Sequence, residues 1–260
     1  MNTHSFNVDR LPQVLFGAGR SAELPILINR VNACHILFVT GANTLVRWLG
    51  WDALRAALEA DAREWFHATV ATEPTPQIVD SVVMQYHSRH IDLVVAIGGG
   101  SVLDAAKAIA GLLPFGNSVL DHLEGVGAGK PYHGPALPFI AVPTTAGTGS
   151  EATKNAVLSV IGKNGYKKSF RHDTLVPQYA IVDPDWIRSC PPAQIAANGL
   201  DALTQLLESY VSMNATPFTD ALALDGIGHV LKGLIAAWQG ANSTAAVQGR
   251  AHMAYAAMTS

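Results

Sequence analysis

The sequence predicts an α/β unit built on a parallel sheet, followed by an all-α region. Three observations lead there. Strand-like and helix-like patterns alternate over roughly the first 180 residues. Two of the apolar, strand-like runs hand over to glycine-rich turns. Beyond residue 184 the pattern is helical throughout.

In chain order, Gln13–Phe16 reads as a short strand ending at Gly17-Ala18-Gly19. His35–Thr40 is a second strand, closed by Gly41-Ala42-Asn43. A helical pattern covers 44–60, with Leu45, Leu49, Leu54 and Leu58 near one face. Residues 64–70 form a weaker strand. Thr75-Pro76 opens a helix reaching residue 90, with the proline in its first turn, where no N–H is missed. Residues 92–97 are apolar on both faces, as expected of a parallel strand covered by helices on each side. An apolar helix at 102–112 follows, then a Gly/Pro-rich loop at 116–134 and a strand at 137–142. Segments 156–161 and 166–170, joined across Asn164-Gly165, read as a hairpin. Tyr179–Val182 is the last strand, and helices are expected at 194–213, 217–239 and 244–260. The division falls near 182–192, giving an α/β unit at 1–184 and a helical unit at 185–260.

The glycine-rich stretches are Gly98-Gly99-Gly100-Ser101-Val102-Leu103-Asp104 and Pro143-Thr144-Thr145-Ala146-Gly147-Thr148-Gly149-Ser150-Glu151. Residues without bulky side chains expose backbone N–H groups, and the hydroxyls of Ser101, Thr144, Thr145, Thr148 and Ser150 add donors. A strand-to-helix turn of this kind suits a pyrophosphate. The first stretch departs from the common GxGxxG spacing, and a tight turn without a ligand is the plain alternative.

Composition narrows the classes. Of the 260 residues 49% are hydrophobic and only 14% charged, against about 25% charged in typical soluble domains, which implies extensive burial in a core or against another subunit. The formal net charge is −3 without a basic block, so neither nucleic acid nor a membrane surface is an expected partner. The apolar runs look short for a membrane span, and the first ten residues lack the pattern of a signal peptide, so a cytoplasmic location is expected. Cys34 and Cys190 are expected to be reduced, small, buried or half-buried side chains. Residues 254–258 remain apolar to the end, from which we expect that Ser260 is not the natural terminus.

Taken together, Gly98-Gly99-Gly100-Ser101 with Asp104 and Lys107, the motif Pro143 through Thr153, Val182-Asp183-Pro184 and Gly199-Leu200-Asp201-Ala202-Leu203-Thr204 resemble the iron-containing (group III) alcohol dehydrogenase family, from about Val14 onward. The long threonine-glycine motif together with the GGGS–Asp pattern is what makes the resemblance specific. It implies a dinucleotide-binding α/β domain, a C-terminal helical domain longer than what is present here, and an active site in the cleft between them.

For the cofactor, NAD or NADP, the resemblance implies that Gly98, Gly99, Gly100 and Ser101 hold the pyrophosphate. Asp104 holds loop groups or bonds the nicotinamide side, with a first-turn cap as its alternative. Thr144, Thr145 and Thr148 contact the adenine and ribose-phosphate side. Lys167 reaches the cofactor ribose, a solvated hairpin lysine being the alternative. Glu151 starts a helical turn or braces its loop. Gly41 stands where NAD-preferring members often carry an aspartate, whose carboxylate would repel a 2′-phosphate. NADP is therefore expected to be tolerated, with Arg47 the nearest downstream cation.

Members of the family bind a divalent metal, usually Fe2+ and sometimes Zn2+, through one aspartate and three histidines. Asp201 matches the aspartate, but the histidine one turn later is replaced by Gln205. The other two histidine positions would follow Ser260. A glutamine oxygen is a poorer ligand for these ions than imidazole. His122, His133, His172 and His252 are expected to be ordinary polar residues, and Glu208 a packing or buried hydrogen-bonding residue. The implied activity is reversible alcohol–carbonyl oxidoreduction on a small-molecule substrate by a homo-oligomer. Gln205 keeps two alternatives open: a metal-independent reductase resembling maleylacetate reductases, and a cofactor-binding protein without dehydrogenase activity.

Overall fold

The computed structural model describes residues 5–240 and 243–260; residues 1–4, the start of the segment read for a leader, lie outside them. The strands are β1 (Gln13–Phe16), β2 (His35–Thr40), β3 (Glu64–Thr69), β4 (Leu93–Gly98), β5 (Phe139–Pro143), β6 (Asn155–Val160), β7 (Tyr166–Arg171) and β8 (Tyr179–Val182). The helices are α1 (Leu24–Val31), α2 (Thr44–Arg47), α3 (Trp51–Ala60), α4 (Pro76–Tyr86), α5 (Gly100–Leu112), α6 (Pro192–Tyr210), α7 (Pro217–Trp238) and α8 (Thr244–Thr259).

Six strands form one sheet in the order β1-β8-β5-β4-β2-β3, every pair parallel, while β6 and β7 make a separate antiparallel hairpin. From β2 the chain first goes outward to β3, then returns to place β4 on the other side of β2. That reversal opens a crevice at the carboxyl ends of β2 and β4, the place where open α/β sheets receive ligands. Thr40 pairs with Ile97 and Gly98 with Pro143. Gly41, Gly99 and Thr144 therefore leave the sheet side by side.

Alternation along the strands divides the core. Leu37, Val39, Val94 and Ala96 face α4, α5 and the hairpin, whereas Ile36, Phe38, Leu93, Val95 and Ile97 face α1 and α3. A third cluster joins Ala146, Ala180 and Val182 to Ile195, Leu206, Val230 and Met253 of the helical region, so the end of β8 and the second glycine loop sit directly on α6–α8. Asp183 fastens this corner. Its buried carboxylate accepts from the backbone N–H of Gly19 at 3.1 Å, Ser21 at 2.9 Å and Asp185 at 3.1 Å. The Val182-Asp183-Pro184 motif is thus a brace between β8 and the turn after β1.

Several expectations are corrected. The helix expected at 44–60 breaks where Trp48 turns to extended backbone, and Gly50 leaves room for the Trp48 ring, which a Cβ there would meet at 2.9 Å; Leu54 and Leu58 are buried, while Leu49 is fully exposed. Helix α1 was not anticipated. Helix α4 stops at Tyr86, a short 3-10 turn follows, and His90 adopts φ 52°. Cys34 is exposed, not buried. Among the described helices α7 is long and apolar enough to cross a membrane by length and composition, which the broken apolar runs of the sequence did not signal. In the fold it packs against both α6 and α8, and Gly233 and Gly249 let α7 and α8 approach so closely that a Cβ on either would fall 2.8 Å from the other's carbonyl oxygen.

Candidate functional site

The two glycine-rich loops touch each other over the start of α5. A Cβ on Gly99 would stand 3.2 Å from Thr145 Oγ1, and one on Gly100 only 2.5 Å from Thr148 Cγ2. These glycines are needed for loop-on-loop packing as well as for open backbone N–H groups. Gly98 is different: a Cβ there would meet the side chain of Val102 in its own turn at 2.5 Å. The first N–H groups of α5 point out of the helix end without intrahelical acceptors, the usual setting for an anion.

A cleft of about 230 Å³ lies beside this junction, lined in part by Gly41, Asn43, Arg47, Thr144, Thr145 and Trp186. The structure therefore brings together Gly41 with Thr144 and Thr145, and it turns Arg47 toward the same space. Cys190 lines it too, donating from Sγ to the Thr144 carbonyl at 3.3 Å; burial pushes its thiol up to about 11. Ser101 donates its hydroxyl to Glu73 Oε1 at 3.2 Å, a partner that was not anticipated. Lys167 lies on the exposed side of β7, opposite Ser159. Ser159 N–H bonds the Pro74 carbonyl at 2.8 Å, so the lysine stands near the strap that carries Glu73.

Asp104 holds a loop hydroxyl: its Oδ1 accepts from Ser150 Oγ at 2.6 Å. It also faces Lys107, whose Nζ is 3.7 Å away. Lys107 is fully buried and donates to Thr153 O (3.2 Å), Thr153 Oγ1 (2.9 Å) and Asn155 O (2.6 Å). Glu151 lies in a 3-10 turn at Ser150–Ala152 and is buried beside this group. Burial pushes Glu151 up to about 7 and draws Lys107 down to about 8, Asp104 and Glu151 opposing the latter shift; burial also raises Asp104. This network ties α5 to segment 150–155 behind the two glycine loops. Its role was missed from sequence, although an aspartate and a lysine three positions apart in a mostly apolar helix signal a buried ion pair.

The network has a pH signature. Glu151 keeps its proton to higher pH in the folded chain than in the unfolded one, so its contribution to stability is complete below about 4.5 and is lost as pH rises through about 7. Wild-type stability minus that of Glu151→Gln is expected to fall over this interval, by at most about 1.4 kcal/mol per pH unit. Urea denaturation at stepped pH measures the difference. A flat difference would contradict the burial of this carboxyl.

On α6, Gln205 Nε2 donates to Asp201 Oδ2 at 3.0 Å and to the Gly147 carbonyl at 3.1 Å. Both partners only accept, which fixes the amide with its N–H groups toward the carboxylate. The described residues form no group of three or more His, Cys, Asp or Glu able to hold a metal ion. Turned this way, the Gln205 amide points hydrogens and not its oxygen at the carboxylate, so this pair as arranged does not fit Fe2+ or Zn2+. Glu208 is exposed, not buried, and lines an open cleft with Gln205 and Ser260. His252 bonds His229 through their Nδ1 atoms at 3.0 Å; His122 and His172 serve local contacts with Asn117 and Thr174.

Comparison with known proteins agrees with this architecture. The model of the family described as iron-containing alcohol dehydrogenase matches residues 12–184, and the one for the C-terminal part of that family matches 195–260. The chain belongs to the iron-containing alcohol dehydrogenase family. It is 40% identical over 230 residues to alcohol dehydrogenase 4 of Saccharomyces cerevisiae, covering 88% of this chain and 58% of that one. It is 37% identical over 219 residues to long-chain-alcohol dehydrogenase 1 of Geobacillus thermodenitrificans, covering 84% of this chain and 54% of the relative. Among solved structures, the sulfoacetaldehyde reductase of Bifidobacterium kashiwanohense in complex with NAD+ superposes with a TM-score of 0.81 at 30% identity, over 98% of this chain and 66% of that one. The chain spans little more than half the length of these two curated relatives.

Proposed function

We propose that the whole protein is an NAD(P)-dependent oxidoreductase that interconverts an alcohol and an aldehyde or ketone. One observation carries this reading: the two glycine loops meet over the N-terminus of α5, at the crevice where the strand order reverses. The residues fit a dinucleotide. Gly99, Gly100 and the first N–H groups of α5 would hold its diphosphate, and Thr144, Thr145 and the cleft beside Gly41 would hold its adenine-side ribose. The chemistry that cofactor supplies when bound is hydride exchange at the nicotinamide C4. The chain's own part is orientation. Asp104 and Lys107 fix the second loop through Ser150 and Thr153, and the helical region walls the crevice from the far side.

The names of the two curated relatives support the substrate class, and the NAD+ complex of the reductase supports the cofactor class. The family-model limits support a division into a nucleotide unit through residue 184 and a helical unit after it. Exposed Leu207, Leu224, Leu231 and Ile235 on α6 and α7 support a cover over this face in the whole protein, from further helical residues or from a second copy. A second reading, a reductase of this superfamily that works without metal, is favoured by the amide hydrogens that Gln205 turns toward Asp201.

The test of activity follows the reduced-cofactor absorbance of the full-length protein with short- and medium-chain aldehydes and ketones. Steady oxidation that needs both nucleotide and carbonyl compound is expected. Its absence across the panel, with nucleotide still bound, would reduce the proposal to a cofactor-binding protein.

Nucleotide choice gives a separate prediction. Gly41 places no carboxylate in the cleft, and Arg47 lines it. Gly41→Asp is expected to weaken NADPH relative to NADH by about tenfold to a hundredfold through like-charge repulsion. The new Cβ would stand 3.0 Å from Thr44 Oγ1, a side-chain atom on the surface turn that can shift. Dissociation constants for both nucleotides, measured by fluorescence titration, check this. An unchanged ratio would place the 2′ position elsewhere.

A further inference from the structure

We propose that Gln205 takes the place of a cation beside Asp201: its amide joins Asp201 to the second glycine loop and keeps that loop seated on α6. The inference rests on the nucleotide reading above, because this loop carries Thr144, Thr145 and Thr148. Asp201 and Gln205 are one helical turn apart, so their side chains share a face. The two amide hydrogens of Gln205 are both used, one on the Asp201 carboxylate and one on the Gly147 carbonyl. A cation approaching that carboxylate oxygen would meet the positive ends of N–H bonds. Turning the amide over to offer Oε1 would give up both hydrogen bonds and set oxygen against two acceptors.

The loop that Gln205 holds has no slack. A Cβ on Gly147 would lie 2.9 Å from Asn198 Cβ and 3.1 Å from its carbonyl oxygen, so loop backbone rests directly on α6. Gly149, at φ 58°, lies equally close to α8: a Cβ there would come within 2.6 Å of the Ala257 carbonyl oxygen. On the opposite side Thr148 abuts Gly100 of α5. The loop is wedged between three helices by van der Waals contact, and Gln205 adds a polar tie from its side chain to the loop backbone. A neutral imidazole carries one N–H and cannot supply both bonds. Histidine at this position would therefore exchange the tie for a ligand.

The experiment uses the full-length protein, stripped with chelator, and two probes: Co2+ alone and NADH alone. Wild type and Asp201→Ala are expected to bind Co2+ equally. Gln205→His is expected to gain Co2+ affinity by about tenfold or more, a gain that Asp201→Ala removes. Gln205→Ala and Gln205→His are expected to raise the NADH dissociation constant about threefold to tenfold. Two results would overturn the inference: wild-type Co2+ binding that Asp201→Ala abolishes, or unchanged NADH affinity in a folded Gln205→Ala. If Gln205→Ala does not fold, the Co2+ comparison of wild type with Asp201→Ala still decides. If wild type itself takes up no NADH, the nucleotide reading fails, and the Co2+ arm reads the cation-replacement claim separately.

Discussion

Replacing Lys107 by methionine is expected to destabilise the folded chain by about 3–5 kcal/mol at neutral pH, the usual cost of removing one partner from a buried ion pair. The methionine fills much of the same space, so the loss is electrostatic. It would leave Asp104 and Glu151 without their buried counter-charge and the carbonyls of Thr153 and Asn155 without a donor. Denaturant unfolding of wild type and variant measures the difference. Adding Asp104→Asn to Lys107→Met is expected to recover part of the loss, because the carboxyl that faces the lysine is then no longer buried without its counter-charge. A change below about 1 kcal/mol, the worth of an ordinary surface pair, would show that the lysine is solvated.

Gly100→Ala is expected to weaken nucleotide binding about tenfold to a hundredfold while leaving the sheet intact. The added methyl would stand 2.5 Å from Thr148 Cγ2 and 2.8 Å from its Oγ1. Thr148 is exposed, so strain of about 1–3 kcal/mol is relieved by turning that side chain aside, at the edge where the diphosphate is proposed to lie. Thermal unfolding should change little in comparison, because the clash lies on the rim of the fold. Adding Thr148→Ala removes both clashing atoms and should restore part of the affinity. If Gly100→Ala alone bound NADH as tightly as wild type, the two loops would not act together on the nucleotide.

Much of the fold was readable because of where the apolar residues lie. Strands β2, β4 and β5 are buried on both faces, so each is an unbroken apolar run that marks itself. Thr75-Pro76 marked the start of α4 in the same direct way, and Thr75 does accept from Ile78 N–H at 3.2 Å. Strand order is a different matter. Nothing local to β2 says that β3 and β4 will flank it, yet that order is what sets Gly41 beside Gly98. Helix α1 escaped notice because it is only eight residues long, with Pro25 in its first turn and an apolar run resembling a strand.

The candidate site divides similarly. The glycines and threonines could be named from their motif, but the reason Gly100 must be glycine is a threonine 48 positions later, which only the fold brings near. The replacement of a metal-ligand histidine by Gln205 was visible in one turn of helix. Its second partner, the Gly147 carbonyl 58 positions earlier, was not. Nor do the motifs show that the Ser150 and Ser101 hydroxyls find protein partners in Asp104 and Glu73.

The most direct measurement is calorimetric titration of the full-length protein with NADH and, separately, NADPH. A saturable heat approaching one nucleotide per chain, diminished in Gly100→Ala, is what paired loops at the sheet's carboxyl edge predict. Folded wild-type protein that shows no saturable heat with either nucleotide would contradict it.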